Sequence, residues 1–190
     1  MRFITFAATL LALGASAAQA HTGHPIDSAG SGALHPLTGL DHLLAMLGVG
    51  IWAAHVGATG DRRAIWLVPA SFVVVMALGA VVGLSGATLP LAEAGITGSV
   101  VLIGLLIAAT PRLPVWAPMA VVAVFAVCHG FAHGQEMPPS SSALAYGAGF
   151  VATTIALHVA GILARRLCGP LGARVVGSAM ALAGIALAAT

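Results

Sequence analysis

Six long apolar runs, separated by short clusters of glycine, proline, arginine and other polar residues, fill the chain from about residue 37 to its end. They lie near 37–56, 64–84, 91–109, 113–133, 143–163 and 171–189. Each is close to the roughly 20 residues that cross ~30 Å of hydrocarbon as a helix. The intervening stretches at 57–63, 85–90, 110–112, 134–142 and 165–170 hold the polar and Gly/Pro residues of short loops. The pattern predicts an all-α, polytopic membrane bundle of six transmembrane helices. A different pattern precedes them. Met1 and Arg2 make a positive start, residues 3–15 an apolar stretch, and Ala18-Gln19-Ala20 an A-x-A cleavage signature. Residues 1–20 therefore read as a signal peptide. An uncleaved anchor is the alternative, for which the apolar stretch is short. Residues 21–190 then form one transmembrane domain that opens on a hydrophilic leader at 21–34.

Composition agrees with this division. The 190 residues are 59% hydrophobic and 6% charged, whereas a soluble domain carries about a quarter of its residues as charges. All seven basic residues are arginines, and they lie between apolar runs without forming a patch, which argues against a nucleic-acid partner. Cytoplasmic loops collect Lys and Arg. With both mature termini in the periplasm, Arg62, Arg63, Arg112, Arg165, Arg166 and Arg174 all fall at cytoplasmic ends. Adding or removing one crossing scatters them over both faces, so the expected location is the bacterial cytoplasmic membrane with six crossings. Trp52, Trp66 and Trp116 also fall near those ends, where interfacial aromatics are common. Small residues let membrane helices approach closely. Gly79-xxx-Gly83 and Gly130-xxx-Gly134 supply such positions, with Gly48, Gly50, Gly147 and Gly149. Cys128 and Cys168 lack metal-ligand or redox spacing and read as small buried residues.

Ionisable groups inside hydrocarbon are costly and mark ion pathways. Two clusters of them stand out. The first, His35-Pro36-Leu37-Thr38-Gly39-Leu40-Asp41-His42-Leu43-Leu44-Ala45-Met46, runs into span one. Pro36 suits the first turn of a helix, which makes His35 its cap or immediate neighbour. On one helix His35, His42 and Met46 share a face. Asp41 lies off it, able either to bind metal or to accept the second ring proton of a ligating histidine. The second cluster, Cys128 to Pro138, runs out of span four, with His129, His133 and Glu136 on one stripe at i, i+4, i+7. The topology puts both clusters in the outer half of the membrane. Imidazoles and carboxylates together suit a first-row divalent ion such as nickel, copper, zinc or cobalt. A proton relay is the rival reading. His55 and His158 approach the cytoplasmic side and either extend the path or serve as interior histidines. Glu93, at the outer end of span three, has no spacing argument. His21 and His24 lie in the leader, which either collects metal or is a solvated tail.

The run His35-Pro36-Leu37-Thr38-Gly39-Leu40-Asp41-His42-Leu43-Leu44-Ala45-Met46-Leu47-Gly48-Val49-Gly50 resembles the signature H-P-x-x-G-x-D-H-x-x-x-M-x-x-V-G of the HupE/UreJ family of metal permeases. His129-Gly130-Phe131-Ala132-His133-Gly134-Gln135-Glu136 is similar to that family's second histidine motif. The resemblance implies a secondary transporter that takes up nickel, with cobalt handled by some relatives, for hydrogenase or urease maturation. It implies a metal site of His35, Asp41, His42, Met46, His129, His133 and Glu136. No resident cofactor is expected, the ion being cargo, and no enzymatic activity. The partners are the divalent ion and the lipid bilayer, with metalloenzyme maturation proteins and a homo-oligomer left open. No G-x-x-x-x-G-K-[ST] motif is present, so the energy comes from the membrane potential, an ion gradient or a separate protein. A membrane metal sensor or insertion accessory protein that binds without transporting is the alternative. An intramembrane hydrolase lacks its H-E-x-x-H pattern.

Overall fold

A computed structural model describes residues 28–189, so the signal segment and the leader residues 21–27, with His21 and His24, lie outside the described residues. The regular structure among the described residues is helical throughout: α1 (Ser28–Thr38), α2 (Leu40–Thr59), α3 (Ala64–Leu84), α4 (Ala92–Ala109), α5 (Trp116–Glu136) and α6 (Ala143–Ala188). Helices meet every backbone donor and acceptor internally, which hydrocarbon demands. Five of them, α2 to α6, are long and apolar enough to cross a membrane. Large apolar side chains such as Leu78, Val81, Leu105, Leu144 and Leu182 are exposed, as a lipid-facing surface requires.

Two boundaries depart from the sequence expectation. Residues 28–34 belong to a helix instead of a leader, and Pro36 lies inside α1 near its C-terminal end, not in the first turn of the long helix. The break falls at Gly39, whose extended backbone caps α2. The small residues of α1, which read as hydrophilic, are packing residues. A Cβ on Gly32 would collide with the Tyr146 carbonyl, and one on Gly149 with the Ala29 carbonyl. Thr153 Oγ1 donates to the Ala33 carbonyl at 2.8 Å, and the Ser142 amide donates to Ser28 Oγ at 2.9 Å.

The second departure is at 165–170, where the loop expected between two spans is absent. Residues 143–188 are two helical segments that meet directly at a kink at Gly169 (φ 66°, ψ −175°). Gly169 occupies backbone space that side chains exclude, and Pro170 suits the start of the second segment.

The helix directions follow from who meets whom. α2 and the first segment of α6 run parallel: Met46 meets Thr154, and Gly50 meets the His158 carbonyl. α3 and α5 also run parallel, Gly79 lying against Val127 and Gly130, and Gly83 against Phe131 and Gly134. The two Gly-xxx-Gly motifs are therefore partners. α4 and the second segment of α6 are antiparallel, with Gly104 against Gly177 and Gly184 against Val101. Gly48, Gly50 and Gly149 all sit at close contacts, but Gly147 faces open space. The interior centres on Met46, Val49, Trp52, Phe72, Met76 and Ile103. Trp52 is thus a core residue and not an interfacial one, while Trp66 and Trp116 are exposed. In the α2–α3 turn Asp61 accepts from the Arg63 amide and guanidinium, both at 2.9 Å, and the guanidinium holds its carboxyl below the usual value.

Candidate metal centre

The break at Gly39 decides what the first histidine cluster can do. His35 ends up on α1 and His42 in the first turn of α2, so they do not share a continuous helix. Both nevertheless converge on the last two turns of α5. The His35 ring lies 4.9 Å from that of His133, and the His42 ring lies 4.4 Å from His133 and 4.9 Å from His129.

These side chains make two overlapping groups. In the buried one, His42, His129 and His133 each offer a nitrogen within 4.8 Å of the others. In the outer one, His35, His133 and Glu136 do the same, with Glu136 Oε2 2.9 Å from His35 Nε2 and 3.6 Å from His133 Nδ1. His133 belongs to both. Glu136 is exposed and His35 half-buried, whereas the other three imidazoles are enclosed. The outer group thus opens to solvent, and the inner one is enclosed behind it.

Hydrogen bonding fixes which nitrogen two of the inner histidines, His42 and His129, leave free. Asp41 Oδ1 lies 2.7 Å from His42 Nδ1 and also accepts from the His42 amide at 2.7 Å. An ionised carboxylate only accepts, so Nδ1 carries the proton and Nε2 presents its lone pair. Ser99 Oγ donates to the Ile96 carbonyl at 2.6 Å and lies 3.0 Å from His129 Nε2. With its proton committed, Ser99 accepts from Nε2–H, and His129 Nδ1 presents the lone pair. Among the buried atoms without a hydrogen-bond partner are His42 Nε2, His129 Nδ1 and both nitrogens of His133. Leaving such groups unpaired costs about 1–3 kcal/mol each. A divalent ion bound by neutral imidazoles removes that cost, and orienting partners of this kind are what metal-ligating histidines use.

Residues 9–187 match the family model described as HupE / UreJ protein. The chain belongs to the HupE/UreJ family. It is similar to "Protein HupE" of Rhizobium leguminosarum bv. viciae, with 45% identity over 192 residues, covering 98% of each chain. No solved structure matches it.

Within this HupE/UreJ chain the expected site residues divide by position. His35, His42, His129, His133 and Glu136 come together in the two groups. Asp41 supports His42 from behind. Met46 lies one turn deeper on α2, fully buried, its Sδ accepting from Thr154 Oγ1 at 3.5 Å. Glu93 is exposed beside Gln135 on an outer groove, away from the histidines. His55 and His158 are buried in the interior. Four residues of the site had not been singled out from sequence. Besides Ser99, they are Phe150, with its ring 4.0 Å from His133, Tyr146, 6.0 Å from His35, and Phe72, 5.5 Å from His129. Ser99 left a faint signal as one of two hydroxyl residues in α4. The aromatics left none, being apolar residues in apolar runs.

Proposed function

We propose that the protein is a secondary permease that takes up divalent nickel across the bacterial cytoplasmic membrane and supplies hydrogenase or urease maturation. Cobalt is the alternative cargo. The observation that carries this reading is the buried set His42, His129 and His133, each with a nitrogen within 4.8 Å of the others and each with an unpaired ring nitrogen. Neutral imidazole suits first-row ions of this class. Membership of a family associated with nickel and cobalt transport supports the choice of metal.

Six crossings with the histidine end facing the periplasm fit both the one-sided arginines and the helix directions. α2, α4 and the first segment of α6 run one way, and α3, α5 and the second segment run the other, if α6 crosses twice about Gly169. A periplasmic ion then meets Glu136 and His35 first and sheds water as it passes to the inner three histidines through the shared His133.

Ni²⁺ uptake into sealed vesicles tests the reading. A carrier accumulates ions well beyond the number of protein molecules, whereas a sensor or insertion protein saturates at a few per chain. His42→Ala and His129→Ala are expected to lower uptake by more than about tenfold, since even orienting partners of metal ligands are worth 10–100-fold. Undiminished uptake in either variant removes this site from the mechanism. Competition by cobalt, zinc and copper ions ranks the cargo.

A further inference from the structure

His158 is buried to 2% exposure, and neither of its ring nitrogens has a hydrogen-bond partner. Buried polar side chains are normally satisfied, and each unsatisfied group costs about 1–3 kcal/mol. The nearest hydroxyl along its own helix does not relieve it, because Thr154, one turn earlier, gives its proton to the Met46 sulfur. A residue with only a space-filling role at this position has no need of an imidazole.

Its place in the bundle suggests what the ring is for. The His158 carbonyl sits where a Cβ on Gly50 would be, which ties its depth to that of Gly50. Gly50 is eight residues beyond His42 on α2, or about 12 Å deeper at 1.5 Å per residue. The face of α2 that carries His42, Met46 and Gly50 therefore runs beside the face of α6 that carries Phe150, Thr154 and His158. Phe72, fully buried on α3, touches imidazoles at both levels, with ring centroids 5.5 Å from His129 and 5.3 Å from His158. His158 stands outside both metal-holding groups.

We infer that His158 is a second, inner station for the transported ion, which receives it from the three-histidine site past the Phe72 ring. This rests on the permease reading and adds a positioned ligand to it. The three-histidine site alone holds an ion, and since the Met46 sulfur and Thr154 hydroxyl just below it are bonded to each other, it lacks a free imidazole toward the inner half of the bundle. His158 supplies one, reached by passing a single aromatic side chain. Beyond it, His55 lies thirteen residues past His42 on α2, close to the buried Arg165.

The test pairs two measurements on the full-length protein: equilibrium binding of Ni²⁺ in detergent and Ni²⁺ uptake into sealed vesicles. His158→Leu fills the space without a ligand atom. His158→Cys restores a ligand atom of different shape. Both are expected to elute as folded protein and to bind Ni²⁺ within about twofold of wild type, because the outer ligands are untouched. Uptake is expected to fall by at least about tenfold in His158→Leu, on the scale of a lost metal-supporting group, and to recover in part in His158→Cys. Wild-type uptake in His158→Leu overturns the relay alone. Equal uptake losses in the Leu and Cys variants, or binding that falls in parallel with uptake, also overturn it, since either result marks a packing role. If the wild-type protein binds Ni²⁺ but moves none, the permease reading fails and the relay with it.

Discussion

His42 and His129 keep opposite nitrogens free because different groups hold their other ring positions, a carboxylate on Nδ1 of one and a hydroxyl on Nε2 of the other. Each support predicts a measurable loss. Asp41→Asn and Ser99→Ala should each weaken Ni²⁺ binding by about 10–100-fold while leaving the fold intact, the usual effect of removing such partners. Ser99→Thr, which keeps the hydroxyl, should bind nearly as wild type. Equal affinities for Ser99→Ala and wild type, measured by titration against a competing chelator, would remove Ser99 from the site. Protons compete with the ion for the same lone pairs, since only neutral imidazole ligates. Uptake should therefore decline as external pH falls, and initial rates measured across a pH series provide the check. The histidines were legible in the sequence because an ionisable group in an apolar span is conspicuous. Ser99 was not. A helical serine ordinarily bonds to a carbonyl one turn back, and Ser99 does this as well. Its use as an acceptor for His129 depends on α4 lying against α5, which local pattern does not encode.

At the scale of elements, two glycines set the breaks that the hydropathy pattern misplaced or overdrew. Gly39 separates α1 from α2 and turns a presumed single histidine face into two helices that meet at α5. Gly169 divides α6 at one residue, where residues 165–170 read as a loop. Hydropathy found the apolar runs to within a few residues, because length and apolarity are local properties. It missed α1, whose small residues look solvated unless the Tyr146 and Gly149 surface they lie on is known. Its glycine pairs were legible as contact points but not as partners of one another. The Gly169 backbone lies in a region open essentially to glycine, at a cost of about 1–3 kcal/mol for other residues. Gly169→Ala should therefore lower the thermal unfolding midpoint in detergent. Gly147→Ala is the matched control. An added Cβ there meets nothing within 4 Å, and alanine gains up to about 1 kcal/mol of helix propensity over glycine. The control should be neutral or more stable. Equal midpoints for the two variants contradict the assigned break at Gly169.

For the whole molecule, the decisive feature is that a chain with 6% charged residues gathers two histidine groups at one end of its bundle. In the proposed orientation that end faces the periplasm and the arginine-bearing turns face the cytoplasm. A dication carried inward from that end, with the protein's own charges staying in place, moves charge across the membrane. The potential acts on that charge at ~2.3 kcal/mol per elementary charge per 100 mV, or ~4.6 kcal/mol for a dication. With about 1.36 kcal/mol per factor of ten, 100 mV supports an accumulation of roughly three powers of ten without any coupling ion. Vesicles given a potassium diffusion potential should take up Ni²⁺ faster and further when negative inside, and should lose the ion when the potential is reversed. An imposed pH gradient without a potential should have a much smaller effect. If uptake ignores the potential but follows the pH gradient, the charge is being balanced by outward protons. The outer carboxylate Glu136 and its histidine partners then become the groups that exchange them.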